Sequence, residues 1–104
     1  MIRNAFTMKL KNGFESEYRK RHDEIWPELS EELEKAGISD YSIFLDENTG
    51  TLFAFQKLTT DNTAEQLPDK AIMRKWWDFM ADIMEVNPEN SPVCIPLKEV
   101  FHMD

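Results

Sequence analysis

The sequence has little of what several large functional classes require. Glycine occurs only at 13, 37 and 50, so no glycine-rich loop can cradle a phosphate, which makes nucleotide cofactors a poor fit. Cys94 is the only cysteine, which excludes an intrachain disulfide and any cysteine-built zinc cage. Histidine appears twice, at 22 and 102, and no H-x-x-x-H spacing exists to seat a metal on one helix face. Basic residues are outnumbered, 12 Lys and Arg against 20 Asp and Glu, giving a net charge of −8 that repels nucleic acid and anionic membranes. No apolar run approaches the roughly 20 residues a membrane span needs. Met1-Ile2-Arg3-Asn4-Ala5-Phe6 lacks the apolar core of a signal peptide, so the expected location is cytoplasmic.

What remains is ordinary for a soluble domain: 104 residues, 41% hydrophobic and 31% charged. That length predicts one domain over 1–104. The pattern begins with alternation over 2–10, where Ile2, Phe6, Met8 and Leu10 share one face, a half-exposed strand. Asn12-Gly13 marks a turn. Helical spacing then runs from 14 to 36 through Phe14, Tyr18, His22, Ile25, Leu29, Leu33 and Ala36, and stops at Gly37. Pro27 lacks the N–H that would bond the Asp23 carbonyl, so the spacing predicts a bend or restart near Trp26-Pro27. Strands follow at 38–46, with Tyr41, Ile43 and Leu45 facing one way and Phe44 the other, and at 51–58, joined by the turn Asp46–Gly50. Residues 59–69 read as a loop or short helix, 70–84 as a second helix, and about 97–103 as a last strand.

The resulting order, β-α-β-β-α-β, is that of an α+β ferredoxin-like sandwich, an antiparallel sheet with helices on one face. The middle strands carry large apolar residues on both faces, Ile43 with Phe44 and Leu52 with Phe53. Helices cover one face only, and burying each such side chain contributes about 1.5–3 kcal/mol. The second face is therefore expected against the sheet of another copy, in a symmetric homodimer.

Chemistry concentrates on His22. It sits one helical turn after Tyr18 and on the apolar stripe, where spacing alone admits a hydrogen-bonded core histidine as well as a general acid/base. Trp76 and Trp77 are adjacent in a wide apolar arc and point about 100° apart on a helix, so at least one is available to line a cleft or interface. An indole beside polar groups suits a sugar, whose C–H face it can cover. Arg19-Lys20-Arg21, hemmed by acidic neighbours, reads as a solvated helix face; Asp23, Glu24 and Glu28 read as surface charge; and Cys94 reads as a small buried hydrophobe.

Four stretches together resemble the L-rhamnose mutarotase family nearly end to end: the start Met1–Phe6, then 18–29 (YRKRHDEIWPEL), Trp76-Trp77, and 87–92 (NPENSP). Tyr41–Asp46 is also similar to the family's second strand. The resemblance implies a cytoplasmic homodimer, a dimeric α/β barrel of ferredoxin-like subunits. It implies interconversion of the α and β anomers of L-rhamnose without a cofactor. His22 would be the proton donor, and Tyr18, Tyr41, Trp76 and Trp77 would bind the sugar. The segment around 60–71 departs from the family pattern. Two other classes compete: a cofactor-independent or haem-handling small oxygenase on the same fold (an analogy of fold only), and a non-catalytic sugar-binding module.

Overall fold

Strands Ile2–Lys9 (β1), Ile38–Asp46 (β2), Thr51–Leu58 (β3) and Ile95–Pro96 (β4) pair antiparallel into one sheet in the order β2-β3-β1-β4. The computed structural model describes residues 1–104. Between β1 and β2 lie two helices, Glu15–Asp23 (α1) and Pro27–Lys35 (α2). A 3-10 helix over Ala64–Asp69 and the helix Ala71–Met80 (α3) precede β4. This is the expected β-α-β-β-α-β frame, its first helix broken in two. No helix is long and apolar enough to cross a membrane.

The break falls where the proline requires it. Pro27 occupies the first turn of α2, where its missing N–H costs nothing, and Trp26 before it is extended at φ −63, ψ 130. At the other end Gly37 takes φ 92, and a Cβ there would run into the Thr59 side chain, so the chain can leave α2 this way only with glycine.

Alternation sorts the sheet into two faces. Met8, Leu52 and Ala54 are buried on the helix side, where they meet Leu29 of α2 and Trp76 and Met80 of α3, and Leu58 packs in a second cluster with Ala36, Ile38 and Leu67. The opposite face carries Phe44, Phe53 and Phe55, with the Phe44 and Phe55 rings 5.9 Å apart and both residues exposed. Ile95 and Leu97 at the β4 edge are exposed as well.

Two boundaries differ from expectation. Helical spacing reaches Met84, yet α3 ends at Met80, because the chain turns to pair with the end of β1: Lys11 N–H donates to the Ile83 carbonyl at 2.9 Å and Leu10 bridges Met84. Ile83 and Met84 are buried all the same, so the apolar stripe reports burial and not helix. The last strand is two residues long and precedes the expected 97–103. Pro96 has no N–H for the ladder, and after Leu97 N–H donates to Ala5 no pairing continues.

Candidate active site

An open cleft of about 1310 Å³ lies between the helix side of the sheet and the helices, with a recess of about 80 Å³ that shares much of its lining. Tyr18, His22, Tyr41, Trp76 and Trp77, all five residues singled out from the sequence, line both. They arrive from three elements. Tyr18 and His22 come from α1, Trp76 and Trp77 from α3, and Tyr41 from β2. Tyr41 faces the cleft through a bulge: Ser42 pairs with Phe55 and Ser39 with Lys57, so Asp40, at φ 48, and Tyr41 together oppose Gln56.

His22 stacks on Tyr18, ring centroids 4.2 Å apart at 28°, and meets the edge of Trp76 at 5.4 Å. Its Nδ1 lies 3.0 Å from the Tyr18 carbonyl oxygen. A carbonyl only accepts, so Nδ1 carries the proton and Nε2 is the bare nitrogen of the neutral ring. Burial holds the imidazole below its usual pKa, partly offset by the Tyr18 carbonyl and by Asp23, so the neutral ring dominates at neutral pH. The spacing left a core histidine and an acid/base open; the ring is partly buried and lines the cleft.

Both phenols are held protonated. Burial raises Tyr18, which is 8% exposed, above the ordinary tyrosine range, with Tyr41 adding to it. Tyr41 is pushed up to about 12, first by burial of its hydroxyl and then by Cys94, although part of the residue is open to solvent. Each phenol is thus a hydrogen-bond donor across the physiological range. Trp76 is buried among His22, Trp26 and Phe79, and Trp77 is half-buried on the cleft. The two indoles differ in burial, yet both line the cleft and its recess.

Some of the lining escaped the sequence reading. Asn4 donates to Gln56 across β1 and β3 at 2.9 Å, and Gln56 is the one buried polar residue. Polar residues at inward positions of an otherwise apolar alternation were the available signal. Trp26 and Phe79 back the Trp76 ring from 5.1 and 5.7 Å. Two readings need correction. Arg21 is not on a solvated face, since its side chain is only 12% exposed, whereas Arg19 and Lys20 are open. Cys94 is exposed and not a core hydrophobe, because the proline-bounded segment before β4 runs along the cleft rim. Burial on its cleft side pushes the thiol up, which makes it a poor nucleophile. Asp23, Glu24 and Glu28 are exposed, as surface charges are. No group of three or more His, Cys, Asp or Glu side chains is placed to hold a metal ion.

Fold and cleft together define a small α+β protein with a partly buried imidazole, two protonated phenols and two indoles on one cleft, a lining that suits a ligand with hydroxyls on one side and a C–H face on the other. The family model for L-rhamnose mutarotase matches residues 3–103. An L-rhamnose mutarotase of Flavobacterium johnsoniae is 62% identical over 103 residues, covering 99% of this chain and 96% of the relative. One from Bacteroides thetaiotaomicron is 61% identical over the whole of both chains. The crystal structure of an L-rhamnose mutarotase from Formosa agariphila superposes with a TM-score of 0.93 at 57% identity, again over all of both chains. The chain belongs to the L-rhamnose mutarotase family, and these matches favour an isomerase over a small oxygenase.

Proposed function

We propose that this cleft interconverts the α and β anomers of L-rhamnose, with His22 moving the proton and Tyr18, Tyr41, Trp76 and Trp77 holding the sugar. The observation that carries the reading is the hydrogen bond from His22 Nδ1 to the Tyr18 carbonyl, which leaves Nε2 bare in an aromatic-walled recess. Nε2 takes the proton of the anomeric hydroxyl while the bond from C1 to the ring oxygen breaks and that oxygen takes a proton from a water molecule in the open cleft. The free aldehyde turns about its bond to C2. Closure is opening in reverse, so the imidazolium returns its proton to the carbonyl oxygen as the ring oxygen attacks the other face and hands its own proton back to the hydroxide left by that water. His22 is base in one half and donor in the other, which joins the tautomer to the donor role implied by the family.

The phenols donate toward sugar oxygens, and an indole covers the apolar C–H face. The C1–oxygen bond breaks and re-forms and protons are exchanged with no net oxidation or reduction, so the reaction needs neither an electron carrier nor a cofactor. Saturation-transfer NMR of L-rhamnose tests the reading: the protein is expected to accelerate exchange between the two anomeric resonances. Tryptophan quenching by rhamnose without acceleration would make the chain a binding module. Tight haem binding with a strong visible band would favour the oxygenase.

The same proposal covers assembly and location. The exposed Phe44 and Phe55 cluster, with Ile95 and Leu97 beside it, fits the sheet of a second copy, which would convert two open sheets into one dimeric barrel. Cytoplasmic residence is tested by cell fractionation.

A further inference from the structure

Helix α1 carries the imidazole but buries a single side chain, Tyr18, and its other eight residues are polar or charged. Apolar packing therefore pins it at one point and leaves its roll about that point unfixed. Arg21, next to His22, supplies a second anchor. Its Nε–H donates to Glu17 at 2.8 Å within α1. Its two terminal nitrogens reach outward, donating to the Phe79 carbonyl at 2.7 Å and to the two Asp82 carboxylate oxygens at 2.9 and 3.2 Å. The Phe79 carbonyl belongs to the last turn of α3, where backbone acceptors lack helical partners and a cation is favoured.

The guanidinium also lies 4.4 Å over the Phe79 ring, which touches Trp76, whose indole in turn meets His22. One side chain thus braces both partners of the contact between His22 and Trp76. We propose that Arg21 is a positioning residue for His22: its fork onto Phe79 and Asp82 fixes α1 against the end of α3 and so sets where the imidazole meets a bound sugar. The proposal rests on the acid/base reading of His22. Lysine cannot replace the fork, because one ammonium cannot reach Glu17, the Phe79 carbonyl and both Asp82 oxygens in fixed directions.

The test compares Arg21→Met, Arg21→Lys and Asp82→Asn with His22→Phe, and with Ala36→Gly as a control that loosens the separate apolar cluster of Ala36, Ile38, Leu58 and Leu67. Anomer exchange provides kcat and KM, thermal melting the midpoint, and proton NMR the His22 Hε1 shift. Arg21→Met is expected to lower kcat by about 10- to 100-fold, as misplacement of a reacting group does, while KM changes little. The His22 Hε1 resonance should lose its ring-current displacement from Trp76. Arg21→Lys should recover melting temperature better than kcat, and Ala36→Gly should lower the midpoint without lowering kcat. If Arg21→Met cannot fold, Asp82→Asn decides, since Asp82 is 65% exposed and its loss removes only the fork's outer end. A wild-type kcat and Hε1 shift in the folded variant, beside an inactive His22→Phe, would overturn the clamp and leave His22 its role. A fully active His22→Phe would instead remove the reading beneath it.

Discussion

Replacing His22 by Phe separates what the imidazole does chemically from what it does as a packed ring. Phenylalanine keeps an aromatic plane to stack on Tyr18 and to meet Trp76, contacts now made at 4.2 and 5.4 Å. What it removes from the fold is one hydrogen bond to the Tyr18 carbonyl, worth about 0.5–1.5 kcal/mol. For a domain near this size each kcal/mol moves the melting midpoint by about 4–8 °C, so a fall of up to about 10 °C is expected. What it removes from the chemistry is the whole proton shuttle, and positioned acid/base catalysis typically contributes about 10²–10⁴-fold. At about 1.36 kcal/mol per tenfold, the barrier rises by about 2.7–5.4 kcal/mol, well beyond the loss of stability. His22→Ala would blur the comparison, since each lost aromatic pair costs a further ~0.5–1.5 kcal/mol. The assay is selective saturation of one anomeric proton of L-rhamnose, read as transfer to the other anomer with the spontaneous rate subtracted, well below both midpoints. Exchange at close to the wild-type rate in folded His22→Phe would refute the assignment.

Because burial lowers the His22 pKa from 6.5, Nε2 stays available through neutral pH, and kcat/KM should fall only on the acid side of 6.5. The native state disfavours the charged ring, so this group's contribution to stability is complete above 6.5, shrinks as pH drops towards the lower native value, and changes no further below it. Melting curves of wild type against His22→Phe over that window should diverge accordingly; parallel curves would contradict the buried-imidazole account. Trp76→Ala, removing a buried indole, is expected to cost about 3–5 kcal/mol of stability, whereas half-buried Trp77→Ala should raise KM for rhamnose more than it lowers the midpoint. Equal losses in both variants would make the pair purely structural. Phe44→Asp places a charge at the centre of the exposed aromatic face and should shift sedimentation from dimer to monomer; a wild type that already sediments as a monomer at micromolar concentration ends the dimer proposal.

Local rules made most of the frame legible. Pro27 had to start a helix and not continue one, Gly37 had to end it, and strict alternation exposed the two faces of the sheet. Tyr18 and His22 could be paired because a helix brings residues four apart together, and the adjacency of Trp76 and Trp77 on a wide apolar arc left one of them only half-buried. What stayed hidden depends on contacts between distant residues. Arg21 has its acidic neighbour Glu17 one turn away, which any helix would provide, but Asp82 and the Phe79 carbonyl lie about sixty positions on. The early end of α3 depends on Lys11 and Leu10 claiming Ile83 and Met84, a pairing with no trace in the apolar spacing.

The broken helix also explains why a cleft exists at this place. An uninterrupted helix from 15 to 35 would carry Tyr18, His22 and Leu29 along one straight stripe, all against the same stretch of sheet. With Pro27 unable to donate, the His22 carbonyl takes the Ile25 N–H at 3.2 Å in a tightened last turn, and Trp26 leads out in an extended conformation. Leu29 of α2 is then fully buried on the sheet, while α1 stands on Tyr18 alone. The imidazole consequently sits on the less embedded of the two segments, one wall of a cleft and not part of the core. A helix so lightly packed cannot hold a reacting nitrogen to a fraction of an ångström by apolar contacts, which is why a charged fork beside it has mechanical consequences for the chemistry.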